Sequence, residues 1–294
     1  MKKTLKSTII LVYLCLTLLF FILNSQKIIK EVLEYSKIFI INIFPSTFIF
    51  YIMTNLIIEY GIIEITYKYL HIKSIKVHLL LLSFLSGFPN GVKNTKELYI
   101  KNIIDLENAN KYIMFTHFPN IIFVLGTCMK IINNKQLTYY ILISLIISNI
   151  IVSLFCKENK SNIVINNNSN NDFSKILSIS IKNTFNIIML IYGVNLLFYL
   201  ISSVITKPFV NNIYIYVLLN GLLDLTKGIS NLYIINSEML RAIYILLFLS
   251  LGSISIHIQT KSILSDTSIN YKYYLKGRLL CTCISLFIFL ILTK

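Results

Sequence analysis

LLLLSFLSGFPNGVKNTK, residues 79–96, begins as an apolar helix and stops in mid-run. The apolar part, residues 77–85, is under half the ~20 residues that a membrane-spanning helix needs. Ser86, Gly87, Phe88, Pro89, Asn90 and Gly91 then interrupt it, followed at once by Lys93 and Lys96. Pro89 pre-sets φ, Asn90 tolerates positive φ, and Gly91 has no Cβ to clash. Two glycines around a proline leave backbone N–H and C=O groups without helical partners. In lipid this is tolerated only where the segment is buried in protein or lines a wet cavity. The stretch therefore predicts a broken or re-entrant helix at the functional centre of a membrane protein. A plain interhelical turn at the membrane surface is the other reading of the same residues.

Composition sets the class. Of 294 residues, 56% are hydrophobic and 13% charged, and the mean hydropathy is +0.74. A soluble domain carries nearer 25% charge. The expectation is an all-α, polytopic integral membrane protein whose partner is the lipid bilayer. Apolar runs without alternation exclude an outer-membrane barrel. The net charge of +15 comes almost entirely from lysine, the only arginines being Arg241 and Arg278. These lysines are scattered between apolar runs, which fits the positive-inside rule and attraction to anionic headgroups. They form no patch beside stacking aromatics, so nucleic acid is not an expected partner. The richness in Ile, Lys and Asn fits a nucleotide-composition bias of the source genome. Cysteines at 15, 128, 156, 281 and 283 lie mostly in apolar segments and lack metal-site spacing. No metal and no cofactor is expected.

Residues 1–37 read as an N-terminal membrane anchor and a short amphipathic link. A basic start and an apolar run over 8–23 resemble a signal peptide, but no small-x-small cleavage site follows, which predicts a retained span. Residues 38–156 form the first membrane half, with a long segment at 38–58, a basic cluster (Lys68, Lys73, Lys76), a span at 112–129 interrupted by His117-Phe118-Pro119-Asn120, and another at 137–155. His71 and His78 lie in that basic region and read as interfacial. Residues 94–111 read as a polar helix that lies on the membrane surface or caps the central loop. Residues 157–174, with the asparagine tract 166–168, form the linker. Residues 175–294 are the second half, with a long run at 176–205, a short one at 213–219, and spans at 242–258 and 279–292. Both halves run in one order: a long helix, a short apolar piece, then a break leading to a lysine. Such correspondence points to a transporter of about eight membrane segments built from two inverted repeats.

Candidate site residues follow from these breaks. Asp224 and Lys227 are spaced to share a helix face, as a neutralising pair or with Lys227 contacting substrate. Lys93 stands beside free N–H groups of a helix start, as an anion contact or a membrane anchor. His257 and Gln259 follow the Gly252 break, and His117 precedes Pro119; each histidine reads as a hydrogen-bonded interior group or a proton relay. No hydrolase motif, phosphate loop or nucleotide-binding domain is present, so an enzyme is not expected.

Three motifs carry a family resemblance. Ser86-Gly87-Phe88-Pro89-x-Gly91-Val92-Lys93 resembles the Ser-Gly-Tyr-Pro-x-Gly-Ala-Lys signature of the YlbJ-type sporulation integral membrane proteins, relatives of the nucleoside-recognition (Gate) membrane domain. Residues 221–228, GLLDLTKG, resemble that family's Gly-Leu-Leu-Glu-x-Thr-x-Gly segment. Gly252 with Ser255-Ile256-His257-Ile258-Gln259 is similar to its Gly-Gly-Leu-Ser-Val-His-x-Gln, and Asp266 with Tyr271-Lys272 falls where its loop has an acid and an aromatic-basic pair. His117, Lys227 and Leu251 depart from the family pattern. The resemblance implies a sporulation protein of a forespore membrane that moves a small organic anion, dipicolinate, through a site at these motifs. A non-transporting sporulation membrane scaffold and a nucleoside-type permease are the alternatives, and further copies of the chain or other sporulation membrane proteins are the expected protein partners.

Overall fold

The computed structural model describes residues 2–62, 65–66, 69, 74–158 and 172–294, and the regular elements among them are all helical. Lys68, His71, Lys73 and most of the 157–174 linker, including 166–168, lie outside the described residues. After α1 (Lys2–Leu23) comes α2 (Ser25–Glu59), one continuous helix of 35 residues. The amphipathic link expected before residue 38 is thus the first part of a long helix. A π-helical turn at Phe39–Ile43 lies just ahead of Pro45. Pro45 has no N–H and its ring crowds the carbonyl four residues back, so a local widening lets the helix continue.

Helices α3 (Ile75–Ser86) and α4 (Asn90–Ile100) flank the Gly-Pro break. The free N–H groups at the start of α3 are satisfied from the far end of the first half. Glu158 accepts from Ile75 N at 3.1 Å, while its carboxylate also takes the Ser74 and Tyr112 hydroxyls at 2.6 Å. A short α5 (Leu106–Tyr112) leads into non-helical backbone at 116–120, then α6 (Ile121–Ile132) and α7 (Lys135–Phe155). The interruption expected at 117–120 within the 112–129 span is this non-helical backbone. Pro119 drives Phe118 out of the helical region, and Asn120 restarts the helix by accepting from Ile122 N and Phe123 N.

The second half holds α8 (Phe173–Ile205), α9 (Ile213–Leu223), α10 (Leu225–Asn231), α11 (Glu238–Leu251), α12 (Ile254–Leu264) and α13 (Tyr271–Leu292). Five helical stretches are long and apolar enough to cross a membrane: α2, α7, α8, α13 and Glu238–Leu264, which joins α11 and α12 across a break. The protein is an all-helical membrane protein. Each of three buried apolar clusters draws on both sides of the 157–174 boundary. Leu145 packs with Leu246 and Phe289, Tyr112 with Leu264 and Tyr274, and Tyr35 with Ile188 and Tyr199.

Helix α4 is not a surface helix. Lys93, Asn94, Thr95 and Leu98 are buried; Lys93 meets Asn55 and Glu97 and Thr95 bonds the Gly91 carbonyl, while the Asn94 amide has no hydrogen-bond partner among the described residues. His78 is also buried, between Thr66 and the Ser74 carbonyl. Only the far end of this region meets solvent. There Lys96 reaches Ile263 O at 2.7 Å and the exposed Asp266 at 2.6 Å, which holds the Asp266 carboxyl below its ordinary range. Arg241 bridges two chain segments by donating to Ile235 O at 2.5 Å and Ile131 O at 3.0 Å.

Candidate functional site

Two helix hairpins and one broken span converge on a central cavity. In the first hairpin, α3 folds back on α4 with Gly91 pressed against Ser83 and the Thr116 carbonyl. Gly87 turns the chain at φ +78°, which an L side chain rarely adopts. Its tip is tied down on both sides: Phe88 N donates to Phe118 O at 2.7 Å, and Tyr51 Oη donates to Phe88 O at 2.8 Å. The Phe88–Pro89 peptide is cis. In the second hairpin, α9 and α10 meet at Gly221 and Gly228. Its tip is Asp224, which caps α10 by accepting from Lys227 N at 2.9 Å. Small residues at both crossings let the helix backbones approach closely.

Between the tips lies a cavity of about 50 Å³. Its polar lining is Ser46, Thr47, Asn120, Asn195, Thr226 and Gln259, and Phe88 supplies an aromatic wall. Gln259 Nε2 donates to Asn195 Oδ1 at 2.5 Å, and Asn120 Nδ2 donates to Ser46 O at 2.6 Å. No charged side chain lines it. Of the thirteen candidate residues, Phe88 and Gln259 reach the cavity. Asn195 and Asn120 were not singled out, although an asparagine inside a long apolar run is a recognised marker of an interior polar site.

The remaining candidates have other partners. Ser86 and Asn90 are buried, bonding Leu82 O at 2.8 Å and Thr54 Oγ1 at 3.0 Å. Lys93 is neither a surface anchor nor a cavity residue: its Nζ lies 2.6 Å from Asn55 Oδ1 and 2.9 Å from Glu97. His117, Gly252 and His257 belong to one construction around the end of α11. A helix end leaves its last carbonyls unpaired. Here Phe248 O takes Gly252 N, Leu249 O faces His117 Nε2 at 3.2 Å, Ser250 O takes Arg278 Nη1 at 3.3 Å, and Leu251 O faces His257 Nε2 at 3.0 Å. The other ring nitrogens lie 2.7 Å from Tyr274 Oη and 2.6 Å from Tyr271 Oη. Tyrosines donating to Nδ1 leave Nε2–H free to donate to the carbonyls, so one tautomer satisfies both rings. His117 also stacks on Phe88 with centroids 4.4 Å apart, which joins the first tip to this helix end. Arg278 is fully buried, forms no ion pair among the described residues, and reaches Met114 O at 2.8 Å and Asn149 Oδ1 at 3.1 Å.

Asp224 and Lys227 do not neutralise each other side chain to side chain. The Asp224 carboxylate turns to the backbone of α10, while Lys227 Nζ runs to Ser203 Oγ, to Tyr199 O at 3.2 Å, and to Glu31 at 3.7 Å. The Tyr199 ring centroid lies 4.3 Å from Nζ, and Ser203 also bonds Glu31. Lys27 also lies 3.7 Å from Glu31 and stays beside it, so removing Lys227 costs on the order of 1 kcal/mol or more. Lys227→Gln is expected to lower the thermal midpoint of the purified protein. Adding Glu31→Gln should recover most of the loss, whereas adding Asp224→Asn should not. Rescue by Asp224→Asn alone would overturn the Glu31 assignment. No family model, curated protein or solved structure matches the chain, so its functional reading stands on this geometry.

Proposed function

We propose that the protein is a secondary transporter or channel for a small organic anion, acting through the cavity between the two hairpin tips. The observation that carries this is a cavity between two hairpin tips, set among long apolar helices, whose lining combines six polar side chains, three of them amides, with six apolar ones. Backbone irregularity at membrane depth is tolerated where it serves such a cavity. The five long helices, the two hairpins as re-entrant elements and α6 make about eight membrane segments. The order long helix, hairpin, broken segment, long helix occurs on both sides of the linker, and we read it as two inverted repeats. Asn120, Asn195 and Gln259 supply amide N–H donors for carboxylate oxygens, and Phe88 supplies a face for a flat ring. Lys93 and Lys227 are paired with Glu97 and Glu31 and do not line the cavity. The motif resemblance makes dipicolinate, at a forespore membrane, the first solute to test.

A ring-sized solute needs several hundred Å³, so the arrangement seen here is a closed one and the tips must separate to admit it. The uncharged lining favours one second reading, a nucleoside-type permease, since amides and hydroxyls also suit sugar hydroxyls and base edges. Uptake of radiolabelled dipicolinate and uridine into proteoliposomes separates the two, and no flux of either would leave a non-transporting scaffold. For the solute that moves, Asn195→Ala and Gln259→Ala are each expected to cut uptake about tenfold or more, the cost of a lost hydrogen bond to a charged group. Abundance should be unchanged. Full uptake in both variants would remove the cavity from the transport path.

A further inference from the structure

Asp224 sits at the second hairpin tip with no accessible surface. Its Oδ1 accepts from Lys227 N, but its Oδ2 has no hydrogen-bond partner. The Ser255 hydroxyl of α12 stands next to this carboxylate, and Ser255 Oγ is also buried without a partner. The Tyr35 hydroxyl of α2, on the same side, is a third such atom. The charged and titratable groups around Asp224 are few. Lys227 is on its own hairpin, Tyr35 comes from α2 and Tyr199 from α8, with Glu31 and Glu34 of α2 grouped around Lys227 and Tyr199. Lys227 is the one cation among them, and its ammonium is engaged with Ser203, Tyr199 and Glu31. A bare carboxylate oxygen in a dry interior is costly, while a carboxylic acid is not. The next two residues, Leu225 and Thr226, line the cavity, so the carboxyl is one to two residues from its wall.

We propose that Asp224 carries an exchangeable proton, held as a neutral carboxylic acid in the closed arrangement and released to water when the second tip is wetted. The proton site stands on the geometry of the tip. Its use in coupling rests on the transport reading, under which each anion that crosses is accompanied by a proton moving with it through Asp224.

Infrared difference spectroscopy of the protein in lipid nanodiscs tests the site without any solute. At neutral pH the wild type should show a carboxylic acid C=O band that shifts in D₂O, disappears on alkalinisation, and is missing from Asp224→Asn. Asparagine keeps the cap on α10 and imitates the neutral acid, so this variant should fold. Ser255→Ala gives a second check, since removing the adjacent hydroxyl should shift the band without abolishing it. A wild-type spectrum without the band, or a band unchanged in both variants, would overturn the proposal. So would a band that vanishes when sodium chloride but not choline chloride is added at fixed pH, which would assign the compensating charge to a bound sodium ion. Loss of uptake with the band intact would count against the transport reading and leave the proton site standing.

Discussion

Arg278→Met is expected to be among the most damaging single substitutions in the protein, lowering stability by about 3 kcal/mol or more. The side chain is buried and donates to Met114 O, Ser250 O, Asn149 Oδ1 and, at the limit of reach, His117 O. Methionine fills the volume but leaves these acceptors unpaired away from water. Among the described residues the guanidinium meets carbonyl dipoles and the Tyr274 ring rather than a carboxylate; one of those carbonyls lies at the end of α11, where the helix carries its partial negative charge. Arg278→Lys should recover only part of the loss, because one ammonium does not reproduce a planar fork reaching several chain segments. Yield of monodisperse protein and thermal midpoint in detergent report both variants. Wild-type behaviour of Arg278→Met would mean that those carbonyls are satisfied without it.

A second large effect is expected at Gly91, with Gly193 as its internal control. A Cβ on Gly91 would collide with the Thr116 carbonyl and with Ser83, whereas a Cβ on Gly193 would meet nothing within 4 Å. Thr116 lies on backbone that also anchors the tip through Phe118, so it has little freedom to retreat. Gly91→Ala should force the hairpin apart, at a cost of about 2 kcal/mol, and reduce uptake together with stability. Gly193→Ala lies mid-helix in open space and should be neutral or stabilising by up to about 1 kcal/mol. Matching effects of one sign at the two positions would contradict the close crossing of α3 and α4.

The break at 86–91 is legible in sequence because Gly, Pro and Asn act through local backbone chemistry. The second tip is fainter, since Asp224 breaks its helix by capping and no proline marks the place. Burial of α4 was not legible. Lys93, Asn94 and Glu97 in helical spacing look the same whether they face water or a polar interior, and Asn55, which receives Lys93, lies 38 residues earlier. Partner choice was likewise hidden for Lys227, whose acid is Glu31 on α2 rather than the neighbouring Asp224. Asn195 sits as a lone polar residue in an apolar run, and Arg278 follows Lys276 and Gly277 at the start of one. That signal was available in the sequence, but which acceptors they meet depends on the tertiary packing of several helices.

The two arginines have a meaning that extends beyond their own hydrogen bonds. Twenty-five of the 27 cationic side chains are lysine. Both exceptions use the forked head to clasp carbonyls from separate parts of the chain, Ile131 and Ile235 for Arg241, Met114 and Ser250 for Arg278. A genome that drifts toward lysine codons replaces arginine freely wherever a point charge suffices. What persists is then a record of shape rather than charge, and a residue count alone flags the two places where the helices are cross-braced.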